Sequence, residues 1–180
     1  MSTAEIREYI RSHSLRESVR EISSTRLREL YGQNSLMLRT LGDRFQGTVD
    51  YQRTYFDEAR GKEVMTEFAE FLEALREYDR KKDRSDWIDL VLEAGDILYQ
   101  SIVLDLNHQG HEQYMDARAQ MDYALNYVER ELAKRGLSMG AVRKMARIKY
   151  GVRCWRKLRG LEPKAKSLEK RLCREELNHD

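Results

Sequence analysis

Glu67 and Glu70, in the segment Thr66 to Leu75, and Glu93 and Asp96, in the segment Leu90 to Gln100, are the residues of this chain best spaced to do chemistry. Residues three apart on a helix share a face, with Cβ atoms roughly 5 to 6 Å apart, so each pair aims two carboxylates at one spot. Two such helices packed antiparallel gather four carboxylates around a common point. That arrangement is tolerable only if metal ions or stored protons neutralise it, because desolvated charge is costly and like charges oppose one another's ionisation. The spacing therefore predicts a cation site.

The second pair sits in an unusually apolar setting. Val91, Leu92, Ala94, Ile97, Leu98, Ile102, Val103 and Leu104 make its helix hydrophobic on nearly every side, which places it in a core. The polar residues Asp89, Glu93, Asp96, Gln100 and Asn107 fall on one helical stripe, so the acids face a shared cavity edge rather than bulk solvent. The first pair borders the core stripe Val64, Phe68, Leu72 and Leu75.

The elements that must position these acids are helices. The chain of 180 residues has a single proline, Pro163, few glycines and abundant Leu, Glu, Arg, Ala and Met, and it shows no period-two strand pattern. Turn signals at 31–35, 42–48, 79–86, 107–110, 135–140 and 160–163 divide it into about six or seven helices. The expected fold is all-α, an antiparallel helix bundle in a single domain over 1–180. Its core is expected over about 14–158, followed by a basic helical segment at 161–180. A charged amphipathic helix is expected over 14–31, and 35–56 is the least regular stretch. The segment 79–85 is short enough to make the helices 57–79 and 86–107 antiparallel neighbours. Tyr114, Ala117, Met121, Ala124 and Val128 form the next apolar stripe, and Val142, Met145, Ile148, Val152 and Trp155 another.

Several classes are disfavoured by composition. No stretch of 18 apolar residues occurs and the first residues lack the apolar centre of a signal peptide, so no membrane partner and a cytoplasmic location are expected. Cys154 and Cys173 are too few and too far apart for a zinc site or a disulfide framework and read as reduced thiols. The net charge is +2, but residues 57–105 hold 14 acidic against 7 basic residues, and 134–180 hold 15 basic against 5 acidic. An acidic middle with a basic end suits a polyanion held through a divalent cation. Beyond Gly160 a solvated basic tail is expected.

The stretch Glu67-Phe-Ala-Glu70-Phe-Leu-Glu-Ala-Leu75 followed by Leu92-Glu93-Ala-Gly-Asp96-Ile-Leu-Tyr-Gln100 resembles the MazG-like branch of the all-α nucleoside triphosphate pyrophosphohydrolases, whose signature is Glu-x-x-Glu, a gap, then Glu-x-x-Asp. The resemblance covers about 40 residues well and the helices up to about 158 in outline. It implies Mg²⁺-dependent cleavage, with Mn²⁺ as a substitute, of a nucleoside triphosphate between its α and β phosphates to give a monophosphate and pyrophosphate. It implies Glu67, Glu70, Glu93 and Asp96 as catalytic metal ligands, and Lys149 and Arg153, four apart on a late helix, as substrate-binding residues. It also implies a homodimer or tetramer. Phe45, Tyr51 and Tyr55 of the irregular region are candidates for stacking on the base. The residue chemistry fits, since Mg²⁺ takes hard oxygen ligands and shares its shell with substrate phosphates.

Three other readings compete. Phosphoribosyl-ATP pyrophosphohydrolase uses similar chemistry. A di-iron carboxylate bundle wants paired Glu-x-x-His motifs, and only Asp105-x-x-His108 comes near, with His108 and His111 reading as loop residues beside Gly110. A non-enzymatic helical protein binding nucleic acid through 134–174 accounts for the basic end but leaves the acids on an apolar helix unexplained, and so is not favoured.

Overall fold

The computed structural model describes residues 2–22, 64, 66–108 and 114–178. Among them all regular structure is helical and no strand occurs, as composition and periodicity lead one to expect. The helices are α1 (Thr3–Ser12), α2 (15–22), α3 (66–81), α4 (Arg84–His108), α5 (Tyr114–Ala133), α6 (Met139–Leu158) and α7 (Lys166–Leu177). The rest of the helix expected over 14–31, the irregular 35–56 stretch with Phe45, Tyr51 and Tyr55, and the turn carrying Gly110 and His111 lie outside the described residues.

Local chemistry accounts for the element ends. Ser2 caps α1 by accepting from the Glu5 amide, and Ser138 caps α6 by accepting from the Ala141 amide at 3.3 Å, each satisfying an orphan donor of the first turn. The turn between α3 and α4 is only two residues, 82 and 83, with the Asp83 carboxylate accepting from the Asp86 amide at 2.8 Å. So short a connection makes α3 and α4 antiparallel neighbours. Helices α5 and α6 end in the same way: Gly136 and Gly160 adopt φ of 73° and 66°, and the amides of Leu137 and Leu161 return to the carbonyls of Leu132 and Arg156. A left-handed residue is needed there, which glycine supplies without a Cβ clash.

Helix α4 is the axis of the molecule. Its Ile88, Leu90, Val91, Ala94, Ile97 and Val103 are all essentially inaccessible, and it packs on α5, α6 and α7. Each of the leucine, isoleucine and valine side chains contributes about 1.5 to 3 kcal/mol of burial. Phe71 and Leu75 of α3, Met121, Val128 and Leu132 of α5, and Val142, Met145, Ile148, Val152 and Trp155 of α6 close around it. These residues include most of the apolar stripes read from periodicity. Phe68 reaches α5, its ring 5.4 Å from that of Tyr127.

Two segments join the core beyond the expected 14–158. Helix α1 lies on α6, burying Ile6, while Arg147 donates to the carbonyls of Ile10, Arg11 and His13 at the end of α1. At the other end the expectation of a solvated basic tail is corrected. Helix α7 packs on α6 and α4 and buries Glu169, Leu172 and Cys173, because its basic residues occupy one face and leave an apolar strip on the other. Both cysteines are buried free thiols. No described helix is long and apolar enough to cross a membrane.

Candidate functional site

Helices α3 and α4 bring Glu67, Glu93 and Asp96 together, each offering a carboxylate oxygen within 4.8 Å of the others. Asp96 is buried, and Glu67 and Glu93 are partly so. Glu70, the fourth acid of the sequence pattern, is exposed and lines a neighbouring cleft instead of joining this group. The cluster depends on a close approach of backbones. A Cβ on Gly95 would meet the Ala146 Cβ at 3.1 Å, so the glycine between Glu93 and Asp96 is what lets α4 press against α6.

That approach brings Asp96 onto two donors of α6. The Lys149 ammonium donates to Oδ1 at 2.6 Å and Oδ2 at 2.7 Å, and the Tyr150 hydroxyl donates to Oδ1 at 2.5 Å. Lys149 is itself 7 % exposed, so it is neither a surface lysine nor one free to turn toward a ligand. Burial and the Asp96 charge push the Tyr150 hydroxyl well above its ordinary pKa, which keeps it a donor. The Tyr150 ring stacks on Tyr99 at 4.2 Å, and the Arg153 guanidinium sits 5.2 Å from its centroid.

Glu67 and Glu93 have no such compensation. Desolvation first, then the charge of Asp96, raises Glu67 to about 8 and Glu93 to about 7, with Lys149 opposing both shifts. Glu67 Oε2 and Glu93 Oε2 are buried without a hydrogen-bond partner among the described residues. Buried polar atoms are rarely left so unless an ion or water completes them. Asp96 retains one lone pair, since Oδ1 accepts twice and Oδ2 once. The donor set is therefore hard oxygen from two or three carboxylates, the set that Mg²⁺ and Mn²⁺ prefer.

Glu93 of the cluster, together with Glu70, also lines a cleft of about 410 Å³. Helices α3 and α4 contribute acids, among them Glu70, Glu73, Asp89 and Glu93, whereas α6 and α7 contribute Lys149, Arg153, Lys166 and Lys170 together with the acid Glu169. Matched against protein-family models, curated proteins and solved structures, the chain matches none.

The four cations are not equivalent. Lys149 is tied to Asp96 in the interior, and withdrawing either partner of such a buried pair costs on the order of 3 to 5 kcal/mol. Arg153 donates through Nε to Glu169 at 2.9 Å, and Glu169 is 2 % exposed, so the arginine is anchored on a buried carboxylate while its side chain keeps 18 % exposure. Lys170 meets Asp89 at 2.7 Å, but both side chains are over a third exposed, and pairs of that kind contribute about 1 kcal/mol or less. Lys166 is exposed and has no carboxylate partner among the described residues.

Tyr150, Glu169, Lys166 and Lys170 were not singled out by the sequence pattern. A signal existed for α7: Leu168-Glu169 and Leu172-Cys173 repeat at four-residue spacing, which marks a packed face within an otherwise basic segment.

Proposed function

We propose that this chain is a divalent-cation-dependent nucleoside triphosphate pyrophosphohydrolase, cleaving between the α and β phosphates to release a nucleoside monophosphate and pyrophosphate. The observation that carries the reading is the trio Glu67, Glu93 and Asp96, with two buried and unpartnered oxygens, whose member Glu93 also lines a cleft that Lys149, Arg153, Lys166 and Lys170 share. The resemblance of the Glu67–Glu70 and Glu93–Asp96 spacing to the MazG-like pattern supports the same conclusion.

Glu67, Glu93 and the free lone pair of Asp96 would hold Mg²⁺ or Mn²⁺, and Glu70 lines the adjoining cleft. When bound, the ion acidifies water and offsets charge on the phosphates. The residues of the chain do the rest. Lys149 and Tyr150 fix the orientation of Asp96, and Arg153 presents its amino groups to a phosphate oxygen. One carboxylate oxygen of the trio that is not occupied by the ion would accept the single proton released by the attacking water. The water oxygen bonds to one phosphorus of the α–β bridge, the bond from that phosphorus to the bridging oxygen breaks, and the bridging oxygen leaves with the other fragment.

The test is a panel of canonical and modified nucleoside triphosphates, with phosphoribosyl-ATP included, assayed with Mg²⁺ for pyrophosphate and for orthophosphate. Pyrophosphate release that vanishes in Glu93→Gln and persists in Glu129→Gln, an exposed acid of α5, is the expected result. No turnover of any substrate, or orthophosphate as the sole product, overturns the reading. A parallel DNA titration distinguishes binding without turnover, the outcome that the nucleic-acid alternative requires.

A further inference from the structure

We infer that α7 carries an anion subsite, formed by Lys166 and Lys170 with Arg153, that holds the terminal phosphates of a polyphosphate whose other end lies at the carboxylate trio. The inference rests on the reading of the cleft as a metal and triphosphate site and adds to it the part of the chain that meets the distal charge.

The argument is one of which positive charge is available. Lys149 lines the cleft, but its protons go to both oxygens of Asp96 in the interior. Arg153 lines the cleft as well, anchored through Nε on buried Glu169. Lys166 and Lys170 are four apart and share one face of α7, and both line the cleft. Lys170 is paired only with Asp89, at the surface, where a phosphate oxygen replaces a carboxylate oxygen at small cost. Lys166 needs no exchange at all. The usable cationic charge of the cleft thus sits on α7 and one helix position of α6. Asp89 lies one turn from Glu93 on α4, so the Lys170–Asp89 pair bridges the cleft, and a phosphate that captures Lys170 also releases Asp89.

The decisive experiment measures binding of inorganic tripolyphosphate to the full chain by titration calorimetry in saturating Mg²⁺. The variants are Lys166→Ala/Lys170→Ala and, as a charge-matched control away from the cleft, Arg130→Ala/Lys134→Ala at the end of α5. All four side chains are at least partly exposed, and a melting curve confirms that each variant folds. The subsite predicts a loss of affinity on the order of tenfold or more in the lysine variant, two charge-assisted hydrogen bonds being removed, and no more than about twofold in the control. Asp89→Asn, which frees Lys170, tightens binding several-fold. Absence of tripolyphosphate binding by the parent chain, equal losses in the two double variants, or no loss in the lysine variant overturns the subsite. Lysine-dependent tripolyphosphate binding without nucleotide turnover leaves the subsite standing and removes the proposed reaction. Turnover with unchanged KM and unchanged tripolyphosphate affinity in the lysine variant does the reverse.

Discussion

Lys149 donates to both carboxylate oxygens of Asp96, at 2.6 and 2.7 Å, although the two residues are 53 positions apart and on different helices. The pair decides how much negative charge the acidic cluster leaves uncompensated. With Asp96 matched by Lys149, the excess resides on Glu67 and Glu93.

A double-mutant cycle tests that pairing in metal-free protein. Lys149→Met strands a buried carboxylate beside two others and is expected to cost on the order of 3 to 5 kcal/mol near neutral pH. Lys149→Met/Asp96→Asn should recover most of the loss, because no buried charge is then left alone. Urea titrations supply the numbers; additive effects of the two changes would show that the residues do not act as a pair.

The acids predict a pH dependence of stability in EDTA. Glu67 and Glu93 rise in the fold to about 8 and about 7 from an ordinary value of 4.5, so the folded chain binds protons more tightly than the unfolded chain. Stability from these groups is fully present below about pH 4.5 and declines as pH rises through 7 and 8. Exposed acids with lowered pKa values, such as Asp79 beside Arg135, act at the acid end in the opposite direction. Glu67→Gln should flatten the decline between about pH 5 and pH 8, raising the melting temperature chiefly at the alkaline end. A variant that melts in parallel with the parent across that range would refute the assignment.

Divalent cations should reverse the same decline. An ion bound only by the folded cluster, at a hundredfold excess over Kd, adds about 2.7 kcal/mol, or roughly 5 to 10 °C for a chain of this size. Mg²⁺ or Mn²⁺ is expected to raise the midpoint, EDTA to lower it again, and Glu67→Gln and Glu93→Gln each to abolish the difference. Glu129→Gln should respond like the parent. Scanning calorimetry with and without metal reads all of these, and a midpoint indifferent to millimolar metal, with tripolyphosphate present or absent, rules the cation site out.

Gly95 offers a steric test. An added Cβ would stand 3.1 Å from the Ala146 Cβ and 3.6 Å from its Cα, so a branched side chain has to part α4 from α6. Gly95→Val is expected to cost about 1 to 3 kcal/mol through overpacking and to loosen the contacts of Asp96 with Lys149 and Tyr150. Ala146→Gly in the same chain should restore part of both stability and turnover. Gly95→Val with parental melting behaviour would mean that the helices are not held this closely.

Helix existence was legible in the sequence because it follows from local spacing. The stripes ending in Val128 and Trp155 and the apolar surround of Glu93 are periodic signals that any packing must satisfy. The meeting of Glu67 with Glu93 and Asp96 was legible too, since two helices joined by residues 82 and 83 have little choice but to lie side by side. Helix α1 was not anticipated, because with Ile6 its only fully buried side chain its stability comes from α6 and not from its own pattern.

What the sequence by itself determined was therefore the helical class, the boundaries set by caps and glycines, and three of the acids that converge. Only the tertiary structure decided which cation meets which anion. Lys149, Arg153 and Lys170 are equally basic as letters, yet one is locked on Asp96, one is braced by Glu169 and one rests on Asp89 at the surface. The physical reason is that an ion pair's strength and availability depend on burial and on partners distant in the chain, and neither is encoded at i+3 or i+4.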